Sequence, residues 1–195
     1  MNKERREYFR IDDQVLLDYR PLPDQDVAAF RAMLAGDLPH RFMTASTFAA
    51  TSRQIAHALQ RIQSELPEVA RCLQAIDQKL NTLAQLFVAE EAQGTLQDSR
   101  DVSLSAGGVA FRAADPVSAG ALLELRLVLL PATIGILSAA RVAYCEHAGD
   151  GDARYPWRIG ASYEIIRESD RELLVRHVMA RETRRLRETR GENSD

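Results

Sequence analysis

Residues 103–111 read Ser103-Leu104-Ser105-Ala106-Gly107-Gly108-Val109-Ala110-Phe111. Short polar residues and two adjacent glycines give way to an apolar run with β-branched and aromatic side chains, the pattern of a turn that feeds a strand. Because a strand follows the glycines, the stretch is not a dinucleotide or Walker loop, in which the turn opens a helix that receives the phosphate. Further strands are expected on both sides. Downstream, Leu122 to Leu130 is an apolar run that stops at Pro131, and Ile134 to Tyr144 and Trp157 to Ile166 follow, separated by the turn-rich Gly149-Asp150-Gly151-Asp152. Upstream, Val15-Leu16-Leu17-Asp18-Tyr19 ends at Pro21 and Pro23. Short strands with turn signals between them predict a small antiparallel barrel.

Between the first strand and the rest lies a helical block. From Asp24 onward Ala, Gln, Leu and Glu dominate, and no glycine occurs between Gly36 and Gly94. Inside it, apolar residues fall at Ile55, Leu59, Ile62, Leu66, Val69, Leu73, Ile76, Leu80, Leu83 and Phe87, in alternating steps of four and three. That 3.5-residue period generates a continuous seam between supercoiled helices. Steps of three run from a to d, so Leu59, Leu66, Leu73, Leu80 and Phe87 are a positions, and Ile55, Ile62, Val69, Ile76 and Leu83 are d positions. Leucine at a with β-branched residues at d favours trimers or tetramers over dimers. Ala56, Ala58, Ala70, Cys72, Ala84 and Leu86 at the flanking positions agree, since dimer seams usually carry charges there. We expect homo-oligomerisation through Leu66, Val69, Leu73, Ile76, Leu80, Leu83 and Phe87, with a tetramer ahead of a trimer and parallel strands. An intrachain hairpin burying the same stripes is the alternative, and both can hold at once. Pro67 either kinks one long helix or opens a second one in its first turn, and two helices are the preferred reading.

A final helix is expected from a capping box, Ser169 with Glu172, ahead of Leu173-Leu174 with Val178 on the same face. Seven arginines between Arg171 and Arg190 are interspersed with acids; they read as a solvated face. The chain of 195 residues has a formal charge of −3, which argues against a dedicated DNA-binding protein. Lys3 and Lys79 are its two lysines, so its cations are almost all arginine. Cys72 and Cys145 have no metal-ligand or CxxC spacing and are expected reduced and partly buried. No leader and no apolar run of membrane-spanning length is seen, so a cytoplasmic protein without membrane insertion is expected. His40, His57, His147 and His177 are scattered, so neither a metal site nor an enzyme is expected.

Three motifs carry a resemblance. Arg6-Glu7-Tyr8-Phe9-Arg10, preceded by Arg5 and followed by a strand, resembles the RxxxR motif of PilZ domains. The stretch from Ser103 to Phe111 resembles their [D/N]xSxxG motif and its following strand. Arg158-Ile159-Gly160-Ala161-Ser162-Tyr163 is similar to the glycine-containing last strand of these barrels. The resemblance implies an α+β fold: a small antiparallel PilZ β-barrel over 1–22 and 94–190 with a C-terminal helix, a helical oligomerisation insertion over 23–93 after the first strand, and a disordered tail at 191–195.

It also implies a ligand, cyclic di-GMP, and no further cofactor. Arginine forks grip phosphates or the O6 and N7 of guanine bidentately. The implied nucleotide-binding set is Arg5, Arg6, Arg10, Asp101, Ser103, Ser105, Gly107 and Gly108. Ser103 stands where the family has Asp or Asn, and a hydroxyl accepts one of guanine's two edge donors where a carboxylate accepts both. Asp101, two residues upstream on the same side of a strand, is the candidate to compensate. The resemblance thus implies a cyclic di-GMP receptor that signals to an unidentified downstream protein. The alternative is a divergent PilZ scaffold that acts by homo-oligomerisation and protein–protein interaction without nucleotide.

Overall fold

The structure, a computed structural model, describes residues 9–36, 40–95, 99–149 and 154–192. Its strands are β1 (Ile11–Pro21), β2 (Ser99–Leu104), β3 (Gly108–Ala113), β4 (Leu122–Leu129), β5 (Ile134–His147) and β6 (Trp157–Ile165). Among the described residues they close an antiparallel barrel in the order β1-β2-β3-β6-β5-β4. β1 is the closing stave: it pairs with β2 near Ile11–Leu16 and with β4 over Val15–Pro21. Strict alternation sends Val15 and Leu17 inward to meet Val102, Leu104, Phe111, Leu125, Leu127 and Ile159. Closure leaves no free sheet edge.

Burial does not alternate along β4, because the strand is covered on both faces. Its outward residues Leu122 and Val128 join Leu137, Ala139 and Ile165 in a second core, packed against Phe30, Leu34, Phe42, Met43, Ala45, Ala84 and Val88. These come from α1 (Val27–Ala35), the 3-10 turn Arg41–Met43 and the helices α2 (Thr44–Glu65) and α3 (Pro67–Thr95). The turn packs against β5 at Gly135, where a Cβ would lie 2.0 Å from the Phe42 carbonyl oxygen.

α2 and α3 are separate helices. Leu66 leaves helical geometry at φ −136°, ψ 72°, and Pro67 opens α3, where its missing N–H costs nothing. The two run antiparallel: the Ser52 hydroxyl donates to Asp77 Oδ1 at 2.7 Å, and Asn81 Nδ2 donates to Ser52 Oγ at 2.9 Å. The intrachain hairpin therefore forms, though through a different face of α3 from the heptad stripe. Asp77 is an e position, and the e residues Ala70 and Ala84 are fully buried. They were expected to flank an intermolecular seam; their small side chains lie instead on the face of α3 turned to its own chain.

α4 (Glu168–Glu192) docks against the barrel through Leu174 and Val178, which enter the main core. It begins one residue before Ser169, so the expected capping box does not form. Arg167 and Asp170 pair at 2.8 Å over that first turn, and Glu172 reaches out to Arg53 of α2 at 3.0 Å. Arg167 also donates to Thr47 Oγ1 at 2.9 Å and Ser46 Oγ at 2.7 Å, tying the hairpin to the base of α4. Cys145 is half-buried as expected, but Cys72 is exposed, because it lies on the outward side of the hairpin. Among the described residues no helix is long and apolar enough to cross a membrane.

Candidate functional site

The turn between β2 and β3 is held from within. Ser105 is buried; its Oγ accepts from the backbone N–H of Gly107 at 3.3 Å and of Gly108 at 3.2 Å and donates to the Gly108 carbonyl at 3.1 Å. The Gly107 carbonyl accepts from the N–H of Tyr163 at 3.0 Å. Gly108 is required by close approach: a Cβ there would sit 2.3 Å from the carbonyl oxygen of Ala161 on β6. The three residues thus shape the motif.

Its outward chemistry comes from β2 and β1. Alternation turns Val102 and Leu104 inward and Asp101 and Ser103 outward. Arg10 enters just before β1, and its Nη1 donates to the Ser103 carbonyl at 3.4 Å. Across the ladder Asp12 faces Ser103 and Gln14 faces Asp101, with Gln14 Nε2 donating to Asp101 Oδ1 at 3.0 Å. Arg10, Asp101 and Ser103 are therefore brought together, with Ser105, Gly107 and Gly108 beneath. Arg5 and Arg6 lie outside the described residues.

Asp101 and Ser103 line an open groove of about 770 Å³ across the outside of the barrel, and Arg10, Ser105, Gly107 and Gly108 do not. Asp12, Gln14, Asp101 and Ser103 line it from β1 and β2, and Arg112 and Arg158, directly opposite each other in the β3–β6 ladder, line it from the other side. Glu146 of β5 lies 3.8 Å from Arg158. The groove thus offers the Asp12 and Asp101 carboxylates along one side and the Arg112 and Arg158 guanidinium groups, with Glu146 beside Arg158, along the other, which suits a ligand carrying hydrogen-bond donors at one edge and anionic oxygens at another.

Arg181 also lines the groove, from α4. Its Nε donates to Asp13 Oδ1 at 2.7 Å and its Nη2 reaches the same oxygen; His177 Nε2 lies 2.5 Å from Asp13 Oδ2. The Asp13 side chain has no exposed surface. Burial alone pushes its carboxyl upward, but the hydrogen bonds from His177 and Arg181 outweigh this and hold it below the ordinary range. Arg171 Nη1 donates to the Ala106 carbonyl at 2.7 Å. Two of the arginines read as a solvated face are thus structural, gripping β1 and the motif turn. Sequence reasoning missed Asp12, Asp13, Arg112 and Arg181. Asp12 left one trace, its i+2 spacing from Arg10 on an extended chain; Arg181 left none. Among the described residues no group of His, Cys, Asp and Glu could hold a metal ion.

A second feature lies on the hairpin. Leu66, just ahead of α3, and Val69, Leu73, Ile76, Leu80 and Leu83 along it form a row with between 40% and 57% of their surface exposed. Phe87 closes the row, half-buried, with the Arg41 guanidinium 5.8 Å from its ring centroid. Ile55 of α2 adds to the exposed apolar surface.

The barrel, its motif turn and its C-terminal helix define a domain of known class. The signature of the family described as "PilZ domain" matches residues 82–180, and the chain belongs to that family. Among solved structures it is similar to a pathogenic protein from Xanthomonas campestris described as a new tetrameric PilZ domain self-assembled via an unusual helical bundle. That likeness has a TM-score of 0.57 and 15% identity and covers 93% of this chain and 91% of that one. It shows that the barrel-plus-helices fold spans nearly the whole chain. A partial likeness to the Bacillus subtilis inhibitor of motility (MotI/DgrA) has a TM-score of 0.36 at 22% identity, over 45% of this chain and 44% of that one; nothing below rests on it. Among curated proteins nothing matches.

Proposed function

We propose that this chain is a self-assembling PilZ adaptor: the stripe on α3 gathers several copies, and the groove lined by Asp101 and Ser103, with Arg10 reaching Ser103 beside it, takes cyclic di-GMP. The carrying observation is the uninterrupted row of apolar residues from Leu66 to Leu83, left exposed although α3 already has an intrachain partner. Contiguous exposed apolar surface of this kind marks an interaction site. Its 3.5-residue period is the one a second helix of the same sequence can match over many turns. The Xanthomonas protein, described as tetrameric through a helical bundle, supports the same arrangement here.

The nucleotide half of the reading is supported by the polarised groove. Phosphates and the O6/N7 edge of guanine find guanidinium partners in Arg10 and Arg158, and the N1–H/N2–H₂ edge faces carboxylates. A ligand there reports to α4 through Arg181, which gives a route to a downstream protein partner. The protein acts in this reading as a non-enzymatic receptor in the cytoplasm.

A scaffold without nucleotide is the second reading. It is favoured by Ser103 in place of a carboxylate and by the Ser105 hydroxyl being committed inside its turn. Light scattering together with calorimetric titration of cyclic di-GMP separates the two. Micromolar binding that vanishes in Arg10→Ala establishes the adaptor; assembly without binding establishes the scaffold; a monomer at tens of micromolar refutes both.

A further inference from the structure

Ser103 leaves the groove short of an acceptor. Guanine presents N1–H and N2–H₂ side by side; a carboxylate takes both donors, whereas a hydroxyl takes one. Two carboxylates stand near Ser103. Asp101 shares its strand but lies two residues away, about 6.6 Å along the chain, and its Oδ1 already accepts from Gln14 at 3.0 Å. Asp12 lies directly across the β1–β2 ladder from Ser103, where facing Cα atoms are about 4.5–5.5 Å apart. It is exposed and lines the groove. Its position two residues after Arg10 sets the two side chains on the same face of an extended chain.

We infer that Asp12 is the guanine-edge acceptor of this groove, supplying from the neighbouring strand the carboxylate that Ser103 lacks. The inference rests on the nucleotide reading above. A displacement by one strand is within the reach of a purine that can slide across an open groove, and Ala110, a small residue paired with Ser103 on the other side, also lines that groove. The carboxylate also sets selectivity. Adenine has no N1–H and no 2-amino group, so it would leave the Asp12 oxygens unpaired and opposed to its own N1 lone pair. With Arg10 or Arg158 on O6 and N7, Asp12 completes recognition of both polar edges of one guanine.

The test titrates the full chain calorimetrically with cyclic di-GMP and with cyclic di-AMP. The variants are Asp12→Ala, Arg10→Ala, Ser103→Asp and the double variant Asp12→Ala/Ser103→Asp, each checked by thermal melt. Asp12→Ala should weaken cyclic di-GMP binding by about tenfold to a hundredfold, the worth of one bidentate base contact. It should also erode the preference for guanine over adenine. Ser103→Asp in the Asp12→Ala background should recover both, because it returns a carboxylate to the same edge. Unchanged affinity and preference in Asp12→Ala, with binding abolished by Arg10→Ala, would overturn the inference and leave the receptor reading standing. Tighter binding in Asp12→Ala would overturn it too, showing that the carboxylate merely repels the phosphates. No binding by the wild type would overturn both, and binding gained in Ser103→Asp would then locate the defect in the missing acceptor.

Discussion

Replacing Asp13 by alanine should release α4 from the barrel. The carboxylate has no exposed side-chain surface, and His177 and Arg181 both converge on it. Removing one partner of a buried ion pair costs about 3–5 kcal/mol, because the other is left uncompensated. About a third of the Arg181 side chain is exposed, 35%, so its guanidinium can turn to water. That relief discounts the loss to about 2–3 kcal/mol, at or just below the bottom of that range and a large share of a typical domain's total stability. Urea denaturation gives the loss directly, and amide exchange along α4 shows whether the helix frays first. The contribution also has a pH signature. Asp13 is held below its ordinary value in the folded chain, so its stabilisation is fully present above about pH 5 and fades as the pH falls through the lowered folded-state value. The gap between wild type and Asp13→Asn should therefore close in acid. A loss under about 1 kcal/mol with unchanged α4 exchange would refute the reasoning, since a real buried pair cannot be removed that cheaply.

Ile76→Asp places a charge in the middle of the exposed row on α3. It should drop the molar mass measured by light scattering while leaving the far-ultraviolet spectrum unchanged; an intact assembly would show that the row is not the interface. Gly108→Ala drives a methyl group to 2.3 Å from the Ala161 carbonyl oxygen. It should cost about 1–3 kcal/mol in urea melts, as overpacking does, and an unchanged midpoint would mean that β3 and β6 separate freely. Arg167→Ala removes the bonds to Ser46, Thr47 and Asp170. It should speed amide exchange in the first turns of α2 more than in β4, whereas uniform change would place the coupling elsewhere.

The barrel strands, the break at Pro67 and the stripe from Leu66 to Phe87 are written in local pattern, where alternation, heptad steps and a proline act over a few residues. So are the motif turn and its glycines. The partner of each surface is not local. The alanines at 70 and 84 belong to the same heptads as the row beside them, and only packing of α3 against its own chain, with Ala84 in the core beneath the helices, assigns them inward. β4 shows the same limit in reverse: its sequence alternates, with Glu124 and Arg126 between leucines as in a half-exposed strand, yet Glu124 is buried along with Leu122 and Val128 because helices pack outside it.

The site divides in the same way. By itself the sequence determined which residue types were available, a pair of arginine and serine–glycine motifs with one carboxylate missing, because side-chain chemistry travels with the chain. Only the tertiary structure decided what could replace that carboxylate and what anchors the groove. Asp12 meets Ser103, and Asp13 meets His177 and Arg181, across separations of more than ninety residues. Those meetings exist because closure of the barrel sets the register of β1 and the packing of Leu174 and Val178 sets the angle of α4. Register and docking are properties of the whole packed core, and no window of the sequence contains them.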